Sequence, residues 1–165
     1  SAAEMELVNE ISRERILAGL IRQVADEYDV VIIDCQPSLG LLTVNALTAA
    51  HGVIIPLATE FFAMRGVAIL EGIISKVKAR LNPTLNLDGI LATMYDPRTL
   101  HSHEVLERVR ERYGDKLFKS VINRTVKFPD ATAAGVPITG YAPTSSAAEA
   151  YRTVARELVV RGCAP

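Results

Sequence analysis

Apolar and polar positions follow two different rhythms along this chain of 165 residues. Leu7, Ile11, Ile16, Leu20 and Val24 recur every three to five positions with charged residues between them, which predicts helix over 5–27. Ser12, followed by Arg13, Glu14 and Arg15, could open a second helix inside that span and leave a loop before it. The rhythm then breaks. Val30, Val31, Ile32 and Ile33 are four successive β-branched residues, a short run that predicts a strand buried on both faces.

The same two rhythms continue to the C-terminus. Residues 39–50 are apolar and compatible with helix, and "GVIIPL" from Gly52 to Leu57 predicts a second buried strand. Ala63, Val67, Leu70, Ile74 and Val77 form one stripe of a helix over 62–80, which Asn82-Pro83 stops. "LDGILATM" over 87–94 is a third strand, 102–113 a charged helix ended by Gly114, and 117–122 a short fourth strand. A stretch rich in Pro, Thr and Gly runs as loop through Pro143, and Ser145 or Ser146 caps a last helix to about Val160, with Glu149 inside its first turn. Strands and helices alternate, and the strands are almost continuously apolar. The fold class expected is therefore α/β, a mostly parallel sheet with helices on both faces, in a single domain over 1–165.

Composition changes this picture little. About half the residues are apolar and 22% are charged, as in an ordinary globular domain. The net charge of −1 argues against nucleic-acid binding by bulk charge. Its distribution is uneven, however: residues 1–100 hold 8 Lys and Arg against 12 Asp and Glu, and residues 101–165 hold 10 against 7. The C-terminal part can thus carry a basic patch, or simply solvated helix faces. Cys35 and Cys163 form no C-x-x-C pair, and a cytoplasmic, reducing setting is expected. No apolar run approaches the ~18 residues of a membrane span, and the N-terminal residues lack the layout of a signal peptide.

In open parallel sheets, ligands gather beyond the C-terminal strand ends. Four exits matter: 34–40, 56–62, 93–98 and 123–130. Asp34 is the sharpest feature, because a carboxylate at the tip of an apolar strand is stable only with a cation, a metal-bound water or backbone donors facing it. Two readings stand: a carboxylate that holds Mg²⁺ through water in a nucleotide hydrolase, or a local cap with Ser38 starting the next helix. Other chemistries fit less well. His101-x-His103 lacks the H-E-x-x-H context of a metal helix, Ser38 lacks the G-x-S-x-G elbow, and Cys35 has no basic neighbour in sequence. No glycine is followed by lysine, so there is no G-x-x-x-x-G-K-[ST] loop.

"YDVVIIDCQPSLGLLTVNALTAAHGVIIPL", "EFFAMRGVAILEGII", "LDGILATMYDPRT" and "AAEAYRTVARELV" occur in that order. Together they resemble the ParA/Soj branch of the ParA–MinD deviant Walker ATPases, the chromosome- and plasmid-partitioning proteins, over about Leu7 to Val160. Gln36 stands where the family usually has a first proline after the Walker B strand. The resemblance implies a P-loop NTPase-like fold, here without the N-terminal P-loop strand, so that the chain corresponds to the C-terminal part of such an ATPase domain. It implies ATP and Mg²⁺ as cofactors, with Asp34 positioning Mg²⁺ through water.

Met94, Asn123 and Arg124 would then lie on the adenine side. There the chain reads Ile-Asn-Arg-Thr-Val-Lys-Phe-Pro-Asp-Ala-Thr where relatives usually read Ile-Pro-Arg-Asn-Val-Arg-Leu-Ser-Glu-Ala-Pro. Arg124, Lys127, Arg152 and Arg156 become DNA candidates. The implied activity is ATP hydrolysis by a homodimer that forms with ATP, binds DNA non-specifically and is stimulated by a ParB-type partner, in a cytoplasmic, nucleoid-associated setting without membrane attachment. The catalytic residues are expected upstream of Ser1, and the chain alone should bind ATP very weakly. The alternative is a non-catalytic interaction module, or a regulator of replication initiation or of division positioning, on the same fold.

Overall fold

The computed structural model describes residues 6–36, 38–59 and 63–164. Pro37 in the expected helix start, residues 60–62 at the second strand exit, and the first residue of the helix expected from position 5 lie outside these. The chain separates into two compact units, one of residues 1–53, 68–87 and 164–165, the other of residues 54–67 and 88–163.

In the first unit the helix expected over 5–27 is broken at Ser12, whose φ of 55° is left-handed. A 3-10 turn, Arg13–Arg15, leads into α1 (Ile16–Arg22), and a second, Ala25–Glu27, follows it. Neither α1 nor these turns caps itself with a side chain of its own. The strand expected over 30–33 does not form. Among the described residues no strand pairs with this segment, and a strand without a ladder leaves its backbone groups to water. Val30, Val31 and Ile32 are correspondingly exposed, Ile32 at 87%, and only Ile33 is half-buried.

Helix α2 (Leu41–Ala49) begins after Gly40 without a side-chain cap, so Ser38 does not cap it. Ser38 stands two residues too early. Its carbonyl instead accepts the Thr43 hydroxyl, which ties the turn after Asp34 to the helix. Asn45, 2% exposed on α2, donates through Nδ2 to the carbonyls of Arg13 (2.8 Å) and Leu41 (3.1 Å). Its Oδ1 accepts from Leu17 N–H at 3.1 Å, giving α1 the N-terminal acceptor that its own sequence lacks. Asn82 works likewise at the other end of α2, donating to the carbonyls of Leu47 (3.0 Å) and Ala50 (2.7 Å).

Strand β1 (Gly52–Ala58), β2 (Asn86–Tyr95) and β3 (Leu117–Asn123) form one sheet in the order β1-β2-β3, with β2 and β3 parallel. Helix α3 (Ala63–Arg80) buries Val67, Ile74 and Val77, three members of the expected stripe. Helix α4 (Leu100–Tyr113) ends where Gly114 takes a φ of 50°. The stretch read as loop after β3 holds two short helices, α5 (Lys127–Ala133) and α6 (Ile138–Tyr141). Pro129 falls in the first turn of α5, where an N–H has no intrahelical partner to lose, so proline is tolerated there.

Helix α7 (Ser146–Val160) is capped by Ser145, whose side chain accepts from Ala148 N–H at 3.2 Å. It packs on β3, where Leu91, Phe118, Ile122 and Val154 make a core joined by Phe128 and Leu158. Glu149 does not close a capping box. It reaches along α7 to Arg156 and Arg152 instead.

Candidate functional site

The apolar run ending in Asp34 opens into a cleft of about 790 Å³ within the first unit. Leu7, Ile16, Leu20 and Leu42 supply apolar walls, and Asp34, Cys35 and Thr43 stand among the polar groups. Asp34 is exposed and makes no hydrogen bond or ion pair among the described residues. A single unspent carboxylate at a cleft suits Mg²⁺, which keeps most of its waters and is held by one or two carboxylates together with substrate phosphates. The donor set fits the ion. Burial pushes the Cys35 thiol up, and the Asp34 charge pushes it further, so Cys35 is a poor nucleophile.

Thr43 and Asn45 fix this cleft from the α2 side. The Thr43 hydroxyl holds Ser38, and Asn45 holds both the last turn before α1 and its second residue. Neither stood out in the sequence as more than part of a helix. A buried Asn on an otherwise apolar helix face is the signal that could have found it.

In the second unit the exits of β2 and β3 lie side by side. Tyr95 pairs with Asn123 in register, and Arg124 N–H donates to Tyr95 O at 2.9 Å. Met94, Asn123 and Arg124 are thereby brought together. Met94 is 41% exposed and holds a left-handed φ of 53°. Just beyond it, Asp96 takes the Arg98 fork on both oxygens, Nε at 2.9 Å and Nη2 at 2.7 Å, and Arg98 N–H at 3.0 Å. The side-chain and backbone hydrogen bonds of Arg98, with its charge and that of Arg124, hold the Asp96 carboxyl far below the usual range. Tyr95 Oη meets His103 Nδ1 at 2.9 Å, and His103 Nε2 lies 3.1 Å from Pro97 O, so His103 is occupied in tying the turn to α4.

The DNA candidates divide. Arg152 and Arg156 both pair with Glu149, and Arg152 Nη1 also donates to Pro143 O at 2.8 Å. Hydrogen bonds from Arg156 and then Arg152 pull the Glu149 carboxyl below its ordinary value. Lys127 opens α5 on an exposed turn, with its N–H on Thr125 Oγ1 at 3.3 Å. Arg124 follows the β3 exit directly. Among the described residues no group of His, Cys, Asp and Glu is arranged to hold a metal by itself, and no helix is long and apolar enough to cross a membrane.

Residues 1–87 match the family model of the AAA domain. An uncharacterised protein of Mycobacterium tuberculosis is 58% identical over 161 residues, covering 98% of this chain and 51% of that protein. The chromosome-partitioning ATPase Soj of Treponema pallidum is 44% identical over 161 residues, covering 98% of this chain and 64% of that protein. Among solved structures, the cobyrinic acid a,c-diamide synthase from Mycobacterium smegmatis superposes with a TM-score of 0.79 at 41% identity, over 96% of this chain and 58% of that one. The same M. smegmatis protein with bound ADP and magnesium superposes at 0.68, with 47% identity, over 74% of this chain and 50% of that one. The chain thus spans between about half and two thirds of the length of these relatives.

Proposed function

This chain belongs to the ParA/Soj family of partitioning ATPases, and on that premise we propose that it is part of an enzyme that hydrolyses Mg²⁺·ATP to drive the partitioning of chromosomes or plasmids. The observation that carries the reading is Asp34. It is a carboxylate without a hydrogen-bond or ion-pair partner among the described residues, lining a cleft, in a chain 44% identical to a chromosome-partitioning ATPase. Asp34 holds the magnesium through water, and the ion supplies charge stabilisation at the phosphates. Met94, Asn123 and Arg124 serve the adenine side. No residue of this chain is assigned to bond cleavage, since the sequence has no glycine-rich loop ending in lysine. The bound nucleotide and magnesium of the M. smegmatis protein support the cofactor assignment.

The remaining parts of the reading follow the family. ATP brings two copies together, the dimer holds DNA without sequence preference through Arg124, Lys127, Arg152 and Arg156, and a ParB-type partner stimulates hydrolysis. This places the protein on the nucleoid. In the protein as its gene encodes it, Asp34→Asn lowers Mg²⁺-dependent ATP turnover by about a hundredfold while leaving the thermal midpoint unchanged. Wild-type turnover in the folded variant would overturn the assignment. The M. smegmatis match favours a second reading, ATP-dependent diamidation of cobyrinic acid. It requires turnover that rises with cobyrinic acid and is indifferent to DNA, whereas partitioning requires the reverse.

A further inference from the structure

The two threonines of α2 spend their hydroxyls differently. Thr48 donates to Val44 O at 2.7 Å, four residues back, as a threonine inside a helix commonly does. Thr43, 6% exposed, donates to Ser38 O at 2.5 Å, five residues back and before the helix begins. Ser38 N–H donates in turn to Gln36 O at 2.8 Å. A buried hydroxyl thus fastens the turn after Asp34 to α2, through a bond that adds nothing to the helix ladder.

Helix α2 is a firm anchor, since Asn45 ties it to Arg13 O and Leu17 N–H, and Asn82 holds the carbonyls of Leu47 and Ala50 at its far end. Asp34 has no such anchor of its own. It is exposed, and among the described residues its carboxylate makes no hydrogen bond or ion pair. The run before it, 30–33, has no ladder among the described residues either. The backbone that follows Asp34 is therefore what sets its place in the cleft, and Thr43, which lines the same cleft, holds that backbone.

We infer that Thr43 is a positioning residue for the magnesium carboxylate: by holding Ser38 O against α2 it fixes the turn that leaves Asp34, and so sets how much the ion adds to nucleotide binding. This rests on the reading of Asp34 above. An ion held through water is sensitive to the direction of its carboxylate, because the octahedral shell of Mg²⁺ fixes where its waters stand. Groups that orient a metal's partners without touching the ion commonly change its affinity by roughly 10- to 100-fold. The hydroxyl proton of Thr43 is spent on Ser38 O, so Thr43 acts through the turn.

The test is the affinity for ADP, which is not consumed, measured by calorimetry with Mg²⁺ and again with the ion chelated, on the protein as its gene encodes it. The ratio of the two affinities is what Mg²⁺ adds. Asp34→Asn is expected to remove most of this gain. Thr43→Val keeps the shape and removes the hydroxyl; it is expected to reduce the gain about tenfold while leaving the metal-free affinity unchanged. Thr43→Ser keeps the hydroxyl and should retain the wild-type gain. If Thr43→Val fails to melt cooperatively, Thr43→Ala is read in its place, with the same reduction expected. An unchanged gain in a folded variant without the hydroxyl overturns the inference and leaves the reading of Asp34 standing. So does a Thr43→Ser variant that loses the gain, or an equal loss of affinity with and without Mg²⁺, which a merely structural role would produce. If Asp34→Asn keeps the gain, or the wild-type protein shows none, the inference and the reading of Asp34 fall together.

Discussion

Oε2 of Glu157 accepts hydrogen bonds from both the N–H and the hydroxyl of Ser120, at 2.9 and 2.7 Å. Oε1 takes Lys119 N–H at 2.8 Å and Arg161 Nη2 at 2.8 Å. This occurs where β3 departs from its ladder, advancing from Leu117 to Val121 while β2 advances only from Ile90 to Ala92. A side chain from α7 thus supplies the acceptors for two backbone donors on β3. Arg161 completes the clasp, stacking 4.3 Å over the Phe118 ring and donating to the carbonyls of Asp115 and Leu117.

Glu157→Ala is expected to destabilise the protein by about 2 kcal/mol, since it leaves the part-buried Ser120 donors without an acceptor and Arg161 without its counter-charge. Urea denaturation checks this. The clasp also sets an acid limit. Burial raises the Glu157 pKa, but the hydrogen bonds from Ser120, Lys119 and Arg161 together outweigh it and hold the carboxyl at about 2 against an ordinary 4.5. A carboxylate with a depressed folded pKa contributes stability that is full above 4.5 and declines as pH falls toward 2. The Glu157→Gln variant should show a shallower slope of stability against pH within that window, the remainder coming from Asp96 and Glu149.

Asn45→Leu tests the clamp between α1 and α2. It removes the acceptor for Leu17 N–H and the donor for Arg13 O, both part-buried, and is expected to cost about 2 kcal/mol. Hydrogen exchange at the Leu17 amide should accelerate more than exchange in α7, which a global loss of stability alone would not produce.

Gly89 is expected to reject alanine. A Cβ there would stand 2.4 Å from Phe118 Cε2 and 2.8 Å from the Lys116 carbonyl. The ring can shift, but the carbonyl belongs to the backbone. Gly89→Ala should therefore cost about 1–3 kcal/mol in thermal melts, and adding Phe118→Leu should recover only part of it.

Glu149 governs how much charge α7 presents. Because Arg152 and Arg156 both pair with it, Glu149→Gln leaves two guanidiniums without a neutralising partner. If this face meets DNA, the variant holds DNA more tightly, with a steeper dependence on salt, by roughly one unit of slope per added phosphate contact. Filter binding across a salt series decides it. An unchanged slope removes Arg152 and Arg156 from the DNA surface and leaves Arg124 and Lys127.

What the sequence shows plainly is whatever a few neighbouring residues determine. Gly114 ends α4, Ser145 caps α7, and the stripe of Val67, Ile74 and Val77 marks α3 because periodicity and caps act within a turn or two. It is the resemblance to the partitioning ATPases that groups Met94 with Asn123 and Arg124, since strand exits alone do not single these residues out. The distant partnerships were hidden: Asn45 reaches 28 and 32 residues back to its partners, and Glu157 reaches 37 to Ser120. Residues 30–33 mislead for the opposite reason. Their composition is that of a strand, but a strand needs a neighbour, and composition does not provide one.

That segment has a use of its own. In this chain the amides of residues 30–33 should exchange with deuterium nearly as fast as those of a free peptide, because no ladder among the described residues protects them. Any molecule that lays a strand beside them must slow that exchange. Four consecutive residues therefore serve as a clock on assembly: read by mass spectrometry, they report when a strand has been laid beside them.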